Sequence, residues 1–354
     1  MAALHFTLSL CLTIISLHFY ILFLISQLRA QQAPYPVRGH ELHLGLLRNK
    51  IRWLGLTDAL LMLSLPYAIV LQDPLQGTGL RVACFFYACK TLDLAIAKVD
   101  APPTRLSQTG SGSSNEPAAM QTLQDKLNYA WALATEMRYH SFDIAAKQKL
   151  RPTLLDQRQA LAINLSPALV ILVFAWLFPI AELKCAALLL AFQCTFETLH
   201  CLLHPRCPHW LCYRPFAAGT MSDFWGTHWH ACAEPFLRSL AFTPTKRYFT
   251  PIFGKEAGSA LGVLAAFSLS GIWHGWASGP LVTRPLLLGV QVWALFVAFG
   301  VMCMAERWIW ARKQGGLVQR SIVWGFALCG GAQCYRTMEC YAMIEWFKSS
   351  RCGA

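Results

Sequence analysis

Long apolar runs alternate with polar connections along the chain, and the length of each run decides what it predicts. Phe6 to Ser26 and Pro285 to Ala305 hold no acid and no strong base, and each is long enough to cross about 30 Å of hydrocarbon. Leu54 to Leu71 predicts another span, one that carries Asp58 and Pro66 and so tilts against neighbours or lines a cavity. Val82 to Ala97, interrupted by Lys90 and Asp93, predicts a crossing or a re-entrant segment. Leu161 to Ala181 and Cys185 to about Leu203 predict two more, the second turning polar at Glu197, His200 and His204, and a glycine-interrupted span runs from Ser321 to about Tyr335. With a further apolar helix at Gly254 to Trp276, the pattern gives an all-α, polytopic integral membrane protein of about seven to nine transmembrane helices, with residues 1–354 as a single membrane-embedded domain.

The connections orient this bundle. Arg29, Arg38, Arg48, Lys50 and Arg52 crowd one loop, which the positive-inside rule puts in the cytoplasm. The first apolar run lacks a basic n-region and exceeds the usual signal-peptide core, so it is expected to be a retained span. Residues near 100–120, with the Ser/Gly/Pro stretch APPTRLSQTGSGSSNEP, hold too few large apolar groups to offset their ordering entropy, and a mobile cytoplasmic loop is expected there. Beyond it, to about Arg158, the pattern reads as surface helices with Trp131, Met137 and Phe142 dipping towards the membrane interface.

Composition agrees with the pattern. Apolar residues make up 55% of the 354 and charged residues 14%, against about a quarter charged in an ordinary soluble domain. The net charge of +12 is spread over the connections instead of forming one arm, so topology explains it and nucleic acid is not an expected partner. Most of the 14 cysteines, among them Cys11, Cys84, Cys194, Cys303 and Cys329, lie inside apolar runs as small hydrophobes.

Two stretches carry candidate chemistry. In GKEAGSALGVLAAFSLSGIWHGW, from Gly254 to Trp276, small residues recur every fourth position at Gly258, Gly262, Ala266 and Ser270, and the next position is His274. That stripe, with Gly271 and Gly275 beside it, lets another helix approach closely, so His274 is expected to face protein and not lipid. An ionisable side chain at membrane depth is a functional candidate by default.

The second stretch, residues 222–247, reads SDFWGTHWHACAEPFLRSLAFTPTKR. Capped by Ser222 or Asp223, a helix here puts Asp223, Gly226 or Thr227, and His230 on one face, with Trp225 and Trp229 on an aromatic face at the membrane boundary. Arg238, Lys246 and Arg247 supply a basic cluster suited to a phosphate-bearing substrate from the cytosol.

A D-F-W-G-x-x-W-H run, an arginine eight residues later, and an S-G-x-x-H-G stretch in the next apolar helix resemble the membrane-bound O-acyltransferase superfamily. Within it the pattern is similar to the wax-synthase-like branch that fungi use for terpenoid and meroterpenoid O-acetylation. The resemblance implies a membrane-bound O-acyltransferase bundle that moves an acyl group from acyl-CoA to an alcohol, with acetyl-CoA as the favoured co-substrate, no bound cofactor and no metal. It implies that His274 is the intramembrane histidine and that His230 closes the tryptophan-rich motif, with Phe224, Trp225 and Gly226 as its core. Related sequences often carry two arginines where this chain has Thr227 and His228, so the load of the CoA phosphates shifts towards Arg238, Lys246 and Arg247. The partners implied are acyl-CoA, a lipophilic alcohol such as a terpenoid, and membrane lipid, in the endoplasmic reticulum; a long-chain wax-ester synthase is the nearest alternative.

The chemistry is consistent with those residue types. A neutral imidazole can take the proton of a hydroxyl as it attacks a thioester near pH 7, and a second can hydrogen-bond the developing oxyanion. Two rival readings remain open. Glu197, His200, His204, Cys207 and His209 could ligate a metal, although no repeated HxxHH box is present; Asp58, Lys90, Asp93 and His274 could mark a transport path, although no inverted repeat is visible.

Overall fold

A computed structural model describes residues 2–31, 40–69, 71–106, 120, 122–139, 141–144, 218–229, 232–309 and 316–344, with scattered positions between 169 and 198. The expected 107–119 part of the loop, most of the two spans between Leu161 and Leu203, and His200, His204, Cys207, His209 and His230 lie outside the described residues. Among the described residues the regular elements are helical, and β pairing is limited to the isolated bridges Arg105 with Phe142 and Val282 with Ala342.

The chain packs as two compact units, residues 1–71 with 80–146 and residues 72–79 with 147–354. In the first, α1 (Ala2–Gln31) packs against α2 (His40–Ala68) and α4 (Leu123–Thr135), while α3 (Pro74–Leu92), which belongs to this unit from Leu80 onward, runs into a π-helical turn at Asp93–Ala97. Their core joins Ile21, Leu22, Ile25, Leu28, Ile51, Leu94, Tyr129 and Leu133, with Phe142 fully buried among them. Phe142 and Met137 thus fill the interior and do not dip towards an interface, whereas Trp131 does stay exposed. The reason is the tie between Thr104 and Ser141: Leu106 N–H donates to Ser141 O at 2.8 Å and Asp143 N–H to Thr104 O at 3.0 Å, folding this segment back onto the bundle.

Buried polar groups in this unit are engaged by neighbours. His18 Nδ1 lies 3.1 Å from Asp58 Oδ2, and the Thr91 hydroxyl donates to the same oxygen at 3.2 Å. Lys90 donates to the carbonyls of Ala134 and Glu136 at 3.2 and 2.9 Å, at the C-terminal end of α4 where a cation is favoured, and Asp93 pairs with Lys98. His18 with Asp58 joins α1 to α2, and Lys90 joins α3 to the end of α4.

The second unit is built on α5 (Thr243–Ser278), α6 (Pro285–Ile309) and α7 (Leu317–Cys340), and α5 is not one rod. Gly254 has φ 86° and ψ 168°, a conformation open essentially to glycine alone. Beyond it the chain doubles back. A Cβ at Gly258 would lie 2.5 Å from Thr250 Oγ1, and one at Gly262 would lie 2.9 Å from Phe242 O. An incoming arm from Glu234 to Phe253 and a return arm from Lys255 to Ser278 therefore form a helical hairpin. At 1.5 Å per residue the return arm is roughly 36 Å long, enough to cross a bilayer by itself. Among the described residues three stretches, Thr7–Gln31, Glu234–Leu281 and Pro285–Ile309, are long and apolar enough to span a membrane, and the hairpin splits the second of these at Gly254.

The small-residue stripe now has two partners. Gly258 and Gly262 admit the incoming arm, whereas Gly271 and Gly275 admit α6: a Cβ at Gly271 would sit 2.9 Å from Trp293 Cα, and one at Gly275 would sit 2.7 Å from Gly289 O. Such close backbone contact is the packing expected of small residues between membrane helices.

Candidate active site

His274 emerges from this packing with a fixed ring. Its Nδ1 lies 2.8 Å from the Ser270 carbonyl, one turn back, so Nδ1 carries the proton that is donated and the neutral ring's lone pair is on Nε2. The ring stacks on Phe296 of α6 with centroids 4.6 Å apart and planes 28° apart. Trp273 beside it is buried and meets Phe236 of the incoming arm at 5.9 Å, which makes it a packing residue, as a membrane-interface tryptophan need not be.

The tryptophan-rich stretch reaches the same phenylalanine. Trp225 lies 5.4 Å from Phe296, 5.4 Å from Phe299 and 5.5 Å from Phe267, an aromatic cage across α5 and α6. His274 and Trp225 thus share one ring, Phe296, as common wall. This juxtaposition brings the two sequence motifs together.

The local backbone differs from the regular helix expected over 222–230. Thr220, not Ser222 or Asp223, is the cap, its hydroxyl accepting from Asp223 N–H at 3.0 Å. One short turn, Met221–Asp223, opens into a π-helical turn at Phe224–His228, and Trp229 is already extended, with φ −129° and ψ 144°. The π turn changes the residue-to-residue rotation, and the regular helix expected from Ser222 onward has already ended at Trp229. Asp223 instead meets His228, whose Nε2 lies 3.2 Å from Asp223 Oδ2. That hydrogen bond, despite the opposing effect of burial, holds the Asp223 carboxyl below its usual range.

Nor do Trp225 and Trp229 form one boundary face. Trp229 is buried and stacks on Phe224 at 5.5 Å, and Phe224 in turn meets Trp324 of α7 at 5.6 Å. Gly226 is exposed. Arg238 and Arg247 are exposed and Lys246 lies 5.6 Å from the Phe242 ring centre, all three on the incoming arm. Among the described residues no group of His, Cys, Asp and Glu has a metal-binding arrangement.

Glu306 was not foreseen. It follows the expected end of its span at Ala305, yet α6 continues to Ile309 and Glu306 is only 5% exposed. It accepts from the backbone N–H groups of Met221 at 2.5 Å and Ser222 at 2.9 Å. Phe296, Phe299 and His228 were also missed, since an apolar residue in an apolar run, or a histidine at an unexpected helical angle, gives no separate signal.

Residues 210–298 match the Membrane bound O-acyl transferase family. The matched segment contains the motif turn, the hairpin and half of α6. Among relatives, the chain is 34% identical over 142 residues to the Arabidopsis thaliana protein described as probable long-chain-alcohol O-fatty-acyltransferase 3, covering 40% of this chain and 39% of that one. It is 30% identical over 113 residues to probable long-chain-alcohol O-fatty-acyltransferase 7 of the same plant, covering 32% and 31%. The chain thus spans less than two fifths of the length of these relatives. No solved structure matches it. The match over residues 210–298 and the long apolar helices support an integral membrane protein.

Proposed function

We propose that this protein transfers an acyl group from acyl-CoA to the hydroxyl of a lipophilic alcohol, with His274 as general base. The observation that carries the reading is the shared wall: His274, oriented by Ser270 O, and Trp225 of the tryptophan-rich motif both pack on Phe296. In this reading Nε2 of His274 takes the hydroxyl proton as the alcohol oxygen attacks the thioester carbonyl. His230, assigned by the motif alone, hydrogen-bonds the oxyanion. Collapse of the tetrahedral intermediate forms the ester C–O bond and breaks the C–S bond; the proton passes from His274 to the departing thiolate, giving free CoA. Arg238, Lys246 and Arg247 on the incoming arm receive the CoA phosphates, and the apolar bundle excludes water that would hydrolyse the thioester.

Two choices of substrate fit this chemistry. The motif resemblance favours acetyl-CoA and a terpenoid alcohol; the names of the relatives favour a fatty acyl-CoA and a long-chain alcohol. Microsomes carrying the protein, given labelled acetyl-CoA or palmitoyl-CoA with a panel of terpenoid and C16–C18 alcohols, separate them by product. Ester from either donor above vector microsomes is the expected result, and absence of ester from every pair contradicts the assignment.

A further inference from the structure

We propose that Glu306 is a positioning residue for acyl transfer, clamping the segment 220–229 at one height on α6 and so setting its distance from His274. The proposal builds on the reading of the site as an acyltransferase centre. Phe296, Phe299, Cys303 and Glu306 follow one another at offsets of three, four and three, which places them on a single face of α6. Phe296 and Phe299 hold Trp225, the Ser222 hydroxyl donates to Cys303 O at 3.3 Å, and Glu306 holds Met221 and Ser222 by their backbone. The same helix holds the His274 arm through Gly289 and Phe296. From Phe296 to Glu306 is about 15 Å of rigid helix. One face thus acts as a ruler, with the start of the motif held at Glu306 at one end and Trp225 and the imidazole meeting at Phe296 at the other.

The two kinds of contact along that ruler are not equivalent. Ring packing is non-directional and tolerates sliding, whereas two hydrogen bonds to a buried carboxylate fix register, and breaking them strands buried polar groups. A clamp of this kind does not touch the reacting atoms. Its loss should lower kcat by misorienting the motif while leaving the KM for acyl-CoA nearly unchanged.

The test combines kinetics with amide hydrogen exchange on the full-length protein in nanodiscs, for wild type, Glu306→Ala and Glu306→Gln. Glu306→Ala should reduce kcat on the order of tenfold or more, with faster exchange confined to peptides covering 219–229 and none in 258–275. Glu306→Gln keeps one acceptor oxygen and should fall between. Wild-type exchange and a kcat within about twofold in both variants would overturn the clamp, as would faster exchange spread over the whole chain. Should Glu306→Ala fail to accumulate, the isosteric Gln variant decides by the same two readouts. If wild-type protein transfers no acyl group to any alcohol, the functional reading falls, and the exchange pattern alone decides whether Glu306 holds the motif.

Discussion

His228 is buried within the tryptophan-rich motif, and its surroundings explain what a histidine does there. Its Nε2 meets Asp223 Oδ2 at 3.2 Å across the π turn, so the two residues brace the turn from both ends. Because the Asp223 carboxyl is held below its usual range, the bond stabilises the fold at pH values above the unfolded carboxylate pKa of about 3.9, and that contribution is lost as pH falls through the lower folded value. Asp223→Asn should therefore lower the melting temperature at pH 7, with the gap to wild type closing as the pH is taken below about 4. The carboxylate is 42% exposed, so solvent screening keeps the effect small. A gap that stays constant from pH 7 to pH 3 would contradict this role.

Among the elements, the hairpin does most to locate the site. A continuous helix from Glu234 to Leu281 would carry Phe236 and Trp273 far apart along one axis; the turn at Gly254 brings them into contact. The return arm then faces the incoming arm with Gly258 and Gly262 and faces α6 with Gly271 and Gly275. Gly275 follows His274 directly, and the atom a methyl would strike is the backbone oxygen of Gly289, which no side-chain rotation can move aside. Gly275→Ala should separate α5 from α6, cost about 1–3 kcal/mol, and loosen the His274–Phe296 stack. The expected readouts are a lower thermal midpoint in detergent and a reduced acyl-transfer rate; an unchanged midpoint would mean that the helices are not packed this closely.

At the scale of the whole molecule, the sequence was most informative where a rule of burial applied. Long uncharged runs such as Pro285 to Ala305 had to become helices, and the four-residue spacing from Gly258 to His274 required a partner, so the inward ring of His274 was legible before any coordinates. The reversal at Gly254 was not, because a glycine inside a small-residue stripe looks like the others until its φ is known. The π turn at Phe224–His228 was equally hidden, and it brings Asp223 to His228, a pairing that regular helical spacing does not predict. Glu306 was hidden by position, one residue past an apolar run whose helix continues. The central claim is that His274 supplies the base at a site shared with the tryptophan-rich motif. Its most direct test is single-turnover transfer from labelled acyl-CoA by wild type and His274→Ala, both inserted normally in microsomes. Loss of ester formation by at least about a hundredfold with acyl-CoA binding retained is the expected result; ester formed at the wild-type rate would contradict it.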